Sequence, residues 1–86
     1  MKTIKLYDGE TFASKRVLVE VLSLPPNGTN LAEMRKRIKI MDAIEAAEGG
    51  ELQLEDADYE LLRGQFQSFP FRLVHKDLVA IADGFD

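Results

Sequence analysis

The sequence predicts an α+β fold that is mainly helical, with about four helices and either a short β-hairpin or two to three short strands. Apolar residues recur at helical spacing in several segments bounded by glycine or proline, whereas two shorter runs alternate between apolar and polar side chains like strands. A chain of 86 residues has material for one hydrophobic core, so we expect residues 1–86 to form a single domain.

The N-terminal segment is predicted to form the hairpin. Residues 2–7 alternate between apolar and polar side chains, and Asp8-Gly9 follows them. This pair favours a tight turn, because glycine tolerates the positive φ that such turns need. Thr11-Phe12 would then form the short return strand.

The segment from Ser14 to Leu24 fits both a helix and a strand. Its apolar residues recur at helical spacing, whereas three valines at positions 17, 19 and 21 also alternate, and β-branched residues favour strands. We expect a helix, because Ser14 is a suitable N-cap and Pro25-Pro26 would end the element.

The clearest predicted element is a helix from Leu31 to about Glu48. Asn30 is its expected N-cap, Glu33 stands at the position that completes a capping box, and Gly49-Gly50 would end it.

Apolar residues cover an unusually wide arc of this second helix, roughly 200° against about 100° for a helix that lies on one surface. We therefore expect the helix either to be central, with neighbours on two sides, or to keep one edge of the arc open for a partner. The predicted open edge, and hence the possible protein interface, consists of Ile40, Ile44 and Ala47. The occupant would be a second copy in a homodimer or a different protein. The members of the arc are Leu31, Met34, Ile38, Ile40, Met41, Ile44 and Ala47.

The last third of the chain is predicted to contain a strand and two helices. Residues 51–54 alternate, and residues 56–68 place aromatic and leucine side chains on one helical face. Gly64 inside that helix predicts a close contact or a bend, because a glycine there costs about 1 kcal/mol relative to alanine. A short helix from Lys76 to Asp83 would end at Gly84, with Phe85 folding back.

The composition excludes several classes of protein. The chain has no cysteine, which rules out disulfides, thiolate metal sites and a cysteine nucleophile. No apolar run approaches the ~18 residues of a membrane span, and the N-terminus lacks the apolar stretch of a signal peptide, so we expect a cytoplasmic protein without membrane contact. The net charge of −4 argues against general nucleic-acid binding.

The charge is divided unevenly along the chain. Residues 1–43 carry eight basic and five acidic side chains, whereas residues 44–86 carry three basic and ten acidic ones. This division would suit two chains that pair opposite halves, although we favour two solvated faces as its explanation.

Side chains suited to catalysis or metal binding are few and scattered. His75 is the only histidine and lacks companions at the spacing of a metal site or a nucleophile–base pair. The carboxylates between Glu55 and Glu60 open a predicted helix, where the helix dipole favours negative charge. We therefore expect no catalytic, cofactor-binding or metal-binding residue, no cofactor and no enzymatic activity.

One basic cluster offers a possible nucleic-acid contact. Arg35, Lys36 and Lys39 fall on the face of the second helix opposite its apolar arc, where they could neutralise phosphates. A helix-turn-helix is disfavoured, because the loop before this helix is longer than the turn of that motif. We favour a solvated or ion-paired face.

The order of elements resembles that of small proteins encoded in phage and prophage genomes. The resemblance covers nearly the whole chain and rests on four segments: SKRVLVEVL, MRKRIKIMDAIEAA, ELQLEDADYELLRGQFQSF and KDLVAIADGF. It implies an origin in a phage or prophage and therefore the cytoplasm of a bacterial host, but it implies no functional residue. We expect an accessory protein that acts as a protein-interaction module. The alternatives are a phage structural or assembly component that oligomerises, and a nucleic-acid-binding protein that uses the basic cluster.

Overall fold

The computed structural model describes residues 1–85, and within them it confirms a mainly helical α+β fold. Four helices and one two-stranded antiparallel sheet make up this part of the chain. In chain order the elements are β1 (Lys2–Lys5), α1 (Ser14–Ser23), α2 (Leu31–Ala46), β2 (Glu51–Leu54), α3 (Asp56–Ser68) and α4 (Lys76–Asp83).

The predicted N-terminal hairpin is wrong, because β1 pairs with the distant strand β2. Ile4 lies opposite Leu52 in the antiparallel register, and both side chains are buried. Only an isolated bridge between Asp8 and Ala13 remains of the expected hairpin. The amide groups of Thr11 and Phe12 both donate to a carboxylate of α4, so they are not free to form a ladder with β1.

The ambiguous segment is the helix α1, as predicted. Its four core-facing residues, Val17, Leu18, Val21 and Leu22, are all at most 5% exposed, so the helical periodicity decided over the alternating valines. Ser14 is not the N-cap, which is Ala13. The Ser14 hydroxyl instead accepts a hydrogen bond of 2.6 Å from the backbone amide of Tyr7.

Helix α2 begins as predicted and ends two residues before Glu48. The Asn30 side chain accepts a hydrogen bond of 3.0 Å from the Glu33 amide and so caps the helix. Gly49 and Gly50 then adopt φ values of 72° and 74°, which lead the chain into β2.

Helix α3 and helix α4 have the expected bounds. Gly64 neither meets a close neighbour nor interrupts α3, since a Cβ atom there would face open space. Gly84 is the C-cap of α4, and the carbonyl of Gly84 accepts a hydrogen bond from the Lys5 amide. Phe85 folds back into the core, where the Tyr59 hydroxyl donates to its carbonyl.

A single cluster of buried apolar side chains joins β1, β2 and all four helices. The apolar residues that are less than 2% exposed form its centre: Ile4, Leu18, Val21, Leu22, Ile40, Ile44, Leu52, Leu62 and Ile81.

Candidate functional site

The apolar arc of α2 is open at the edge opposite to the predicted one. Ile40 and Ile44 are 0% exposed, so the expectation that they stay open to a partner is wrong. Leu31, Met34 and Ile38 are instead 70%, 42% and 54% exposed. The core takes up the side of α2 that faces α1, α3 and β2, and nothing in residues 1–85 covers the other edge.

Ala47, the third residue of the predicted interface, lies just past the end of α2 and is half-buried. The Lys15 ammonium donates to the Ala47 carbonyl over 2.5 Å, and so it covers the end of the helix with a side chain from α1. This end of α2 is therefore closed by the chain itself.

The open edge of α2 borders a shallow groove of about 250 Å³ between α1 and α2. Leu22 and Ser23 at the end of α1 form one wall, and the loop that follows closes one end. Within that loop, the Gly28 amide donates to the Pro25 carbonyl in a turn. Leu24, between Ser23 and Pro25, is 60% exposed and extends the apolar surface. The residues that line the groove are Leu22, Ser23, Pro25, Thr29, Met34, Arg37, Ile38 and Met41.

Arg37 is the one charged side chain that lines this groove. It is only 8% exposed, and its Nη1 donates to the Leu22 carbonyl over 3.0 Å. The guanidinium thus lies at the C-terminus of α1, where the helix dipole favours a positive charge. Its Nε is buried without a hydrogen-bond partner, and no carboxylate in residues 1–85 lies within 4.0 Å of it.

The predicted basic cluster is divided among separate partners. The Lys39 ammonium lies 3.2 Å from the Asp58 carboxylate of α3, and this hydrogen bond raises the pKa of Lys39. Lys36 lies 4.0 Å from Glu33 on the same helix. Arg35 is exposed and has no ion pair among the described residues. Lys36 and Lys39 are therefore ion-paired, which was one of the two arrangements expected for this face.

A second apolar groove, of about 360 Å³, lies between α1 and the segment that joins α3 to α4. Phe69 and Phe71 are half-buried in its wall with ring centroids 5.0 Å apart. The next residues, Leu73 and Val74, are 49% and 101% exposed. This surface contains aromatic rings but no buried charge.

Asp77 of α4 is the most connected polar side chain of the fold and was not singled out by the sequence. It is 2% exposed, and its Oδ2 accepts hydrogen bonds of 3.1 Å from the amides of Thr11 and Phe12. The Tyr7 hydroxyl donates to Oδ1 over 3.1 Å. The backbone donors, Phe12 foremost, hold the pKa of Asp77 below its usual range although burial raises it. The hydrogen bond between the Tyr7 hydroxyl and Asp77 raises the pKa of Tyr7.

His75 has a structural role next to this buried carboxylate. Its Nδ1 accepts a hydrogen bond of 3.0 Å from the Asp77 amide and caps α4, and its ring packs edge-on against Phe12 at 5.0 Å. The carboxylate and the imidazole together hold the turn of residues 8–12 onto α4, so the carboxylate and the Nδ1 atom of His75 are engaged in the fold.

No protein-family model, curated protein or solved structure matches the chain. No helix within residues 1–85 combines the length and the apolar character needed to cross a membrane. The same residues contain no group of three or more histidine, aspartate and glutamate side chains that could hold a metal ion.

Proposed function

We propose that this chain is a protein-interaction module whose contact surface is the groove between α1 and α2. The observation that carries the proposal is the apolar edge of Leu31, Met34 and Ile38, which the fold leaves exposed on α2. Exposed apolar surface of this kind in a small domain marks a contact site, because leaving it in water opposes solubility.

The spacing of the exposed residues supports a helix or extended segment as the partner. Exposed Leu31, Met34 and Ile38 follow one another at intervals of three and four residues. Half-buried Met41 follows three residues later, so all four lie in one stripe along α2. A stripe next to a groove is the arrangement that receives the apolar side chains of a partner segment. We thus replace the predicted interface of Ile40 and Ile44 with Leu31, Met34 and Ile38, which lie roughly 80–180° away around the same helix.

The proposal can be tested by selecting binders from a library of random 16-residue peptides displayed on a surface. We expect peptides that bind the wild type and lose at least tenfold in affinity to Ile38→Glu. Val79→Glu is the matched control, because Val79 is 62% exposed on α4 and lies outside the groove. Selected peptides that bind Ile38→Glu and the wild type equally would contradict the proposal. Peptides that lose affinity to Leu73→Glu instead would move the interface to the second groove.

The biological setting remains part of the proposal. The resemblance to phage and prophage proteins supports an accessory protein in the cytoplasm of a bacterial host, and neighbouring genes for phage heads, tails or host takeover would be the direct test. A structural component that oligomerises would use the same groove for a second copy, and sedimentation of the free chain at tens of micromolar distinguishes it.

A nucleic-acid-binding protein is the weaker alternative. The ion pairs of Lys36 and Lys39 leave Arg35 as the free charge of the predicted contact set in residues 1–85. Binding to duplex DNA that weakens steeply with salt, and that Arg35→Gln reduces, would favour this alternative over a protein partner.

A further inference from the structure

We infer that the groove binds an apolar segment of a different protein that carries a carboxylate, and that this carboxylate pairs with Arg37. The inference rests on the proposed function and specifies the chemistry of the partner. Three features of the groove carry it: the buried guanidinium, the lack of a carboxylate within 4.0 Å of it among residues 1–85, and the apolar side chains beside it.

The guanidinium of Arg37 is underpaired for its burial. A buried arginine is ordinarily matched by a carboxylate, because removing a charge from water is unfavourable unless an opposite charge or several hydrogen bonds replace the lost hydration. Within residues 1–85, the Arg37 side chain makes one hydrogen bond, to the Leu22 carbonyl, and its Nε makes none. A carboxylate from outside the described chain would supply the missing counter-charge at the floor of the groove.

The position of Arg37 in the helix explains its burial. Around the axis of α2 the residue lies within the apolar arc, between Ile44 and Met41, rather than on the basic face. Its aliphatic stem therefore packs among apolar neighbours while the guanidinium reaches the end of α1. An apolar side chain at this position would fill the same space. The charge is therefore the property of Arg37 that a binding partner can recognise.

The charge of the groove disfavours a second copy of the chain as the occupant. Arg37 is the one charged side chain in its lining. Two copies that meet groove to groove would bring their Arg37 guanidinium groups into one interface without supplying a carboxylate, which opposes association. An acidic partner would instead supply the opposite charge. The apolar residues Met34 and Ile38 beside Arg37 then take the partner's apolar side chains.

The test compares matched peptides on matched variants of the full chain. A groove-binding peptide from the library selection is made in two forms, one with its acidic residues and one with those residues changed to Gln or Asn. We expect the amide form to bind the wild type at least tenfold more weakly. On Arg37→Met the two forms should differ by less than twofold, whereas Lys36→Met, which removes an exposed charge of the same helix, should keep the full difference.

A second measurement covers the case in which Arg37→Met does not fold. In the ¹⁵N-labelled wild type, the Nε–H resonance of Arg37 should shift downfield when the acidic peptide binds and stay in place with the amide form. Groove-binding peptides without acidic residues, or with amide forms of equal affinity, would overturn the inference and leave the interaction module intact.

Two further outcomes are distinguishable. A dimer of the free chain that Ile38→Glu dissociates would identify a second copy as the occupant and overturn the acidic partner alone. A selection in which no peptide depends on Ile38 would overturn the inference together with the proposed function.

Discussion

At the scale of single residues, the polar groups that matter most are those that the fold buries, Asp77 and Arg37. Both are less than 10% exposed, yet they differ in how they are satisfied. Asp77 accepts three hydrogen bonds from the loop of residues 7–12, whereas Arg37 makes one and keeps an unpaired Nε. A fully satisfied buried group stabilises the fold, whereas the unpaired Nε of Arg37 is the observation on which the proposed acidic partner rests.

Replacing Asp77 by Asn is expected to destabilise the chain in a pH-dependent way. The pKa of Asp77 in the folded chain lies below its ordinary value of 3.8, because backbone amides donate to its charged form. The stabilisation is therefore complete above the unfolded pKa and is lost as the pH falls through the lower folded pKa. Thermal unfolding is measured between pH 7 and pH 2. The melting temperature of Asp77→Asn should lie below that of the wild type at pH 7, and this difference should become smaller towards pH 2.

Asp83→Asn is the control for that experiment, because it removes an exposed carboxylate from the same helix. Its melting temperatures should follow those of the wild type across the whole pH range. If the difference in melting temperature between wild type and Asp77→Asn stays constant down to pH 2, the charge of Asp77 contributes nothing to stability and only the shape of its side chain matters.

At the scale of the elements, the rotation of α2 about its axis determines which residues hold the core. The helix turns Ile40 and Ile44 inward and leaves Leu31 and Ile38 outward, although all four belong to one apolar arc. Periodicity finds the arc, but it does not tell which edge of a wide arc the neighbouring elements cover.

The rotation of α2 predicts different effects for two isoleucines on the same helix. Ile40→Ala should lower the free energy of unfolding by about 2–5 kcal/mol, the usual range for emptying a core site. Ile38→Ala should lower it by less than about 1 kcal/mol, because more than half of the side chain is in water. Urea unfolding of both variants measures the difference. Equal losses would mean that α2 is turned differently.

Gly64, inside α3, and Gly84, which caps the C-terminus of α4, provide a second matched pair. A Cβ atom at Gly84 would lie 2.2 Å from the Lys5 carbonyl oxygen, whereas one at Gly64 would meet no atom within 4 Å. Gly84→Ala should therefore destabilise the fold by about 1–3 kcal/mol through forced displacement of β1. Gly64→Ala should stabilise it by about 0.4–1 kcal/mol, since alanine favours an exposed helix interior.

Chemical denaturation of the two alanine variants is the measurement. A stable Gly84→Ala variant would mean that β1 does not approach the end of α4 as closely as the structure shows.

At the scale of the whole molecule, the N-terminal strand β1 connects elements that are distant in the sequence. β1 pairs with β2, and the Lys5 amide donates to the Gly84 carbonyl, so one strand joins the middle of the chain to its end. The basic and acidic halves are thereby mixed in space, as the Lys39–Asp58 ion pair of 3.2 Å also shows.

The register of the β1–β2 pairing predicts opposite outcomes for neighbouring residues of β1. Ile4 is 1% exposed and faces the core opposite Leu52, whereas Thr3 is exposed on the outer face. Ile4→Asp should abolish cooperative unfolding, because it places an unpaired charge in the core of a marginally stable domain. Thr3→Asp should change the free energy of unfolding by less than about 1 kcal/mol. Circular dichroism melts measure both, and the reverse result would indicate a register shifted by one residue.

The sequence by itself determined the four helices of this protein to within two residues at each end. Asn30 has a side chain that accepts the Glu33 amide, and Gly84 ends α4 as expected, because caps depend on residues next to each other in the chain. The helical spacing of α1 also sufficed to decide between helix and strand. Each of these signals acts over a few residues and can be read without knowing what packs against it.

Only the tertiary structure decided how the elements meet and, with that, where the candidate site lies. The local turn signal at Asp8-Gly9 was outcompeted by a strand nearly fifty residues away, because β2 offers a buried apolar face and Asp77 takes the amides of the turn. The helical position of Arg37 could have marked it as part of the apolar arc. Its missing counter-charge, however, depends on which side chains approach from other elements, and no pattern within one helix contains that information.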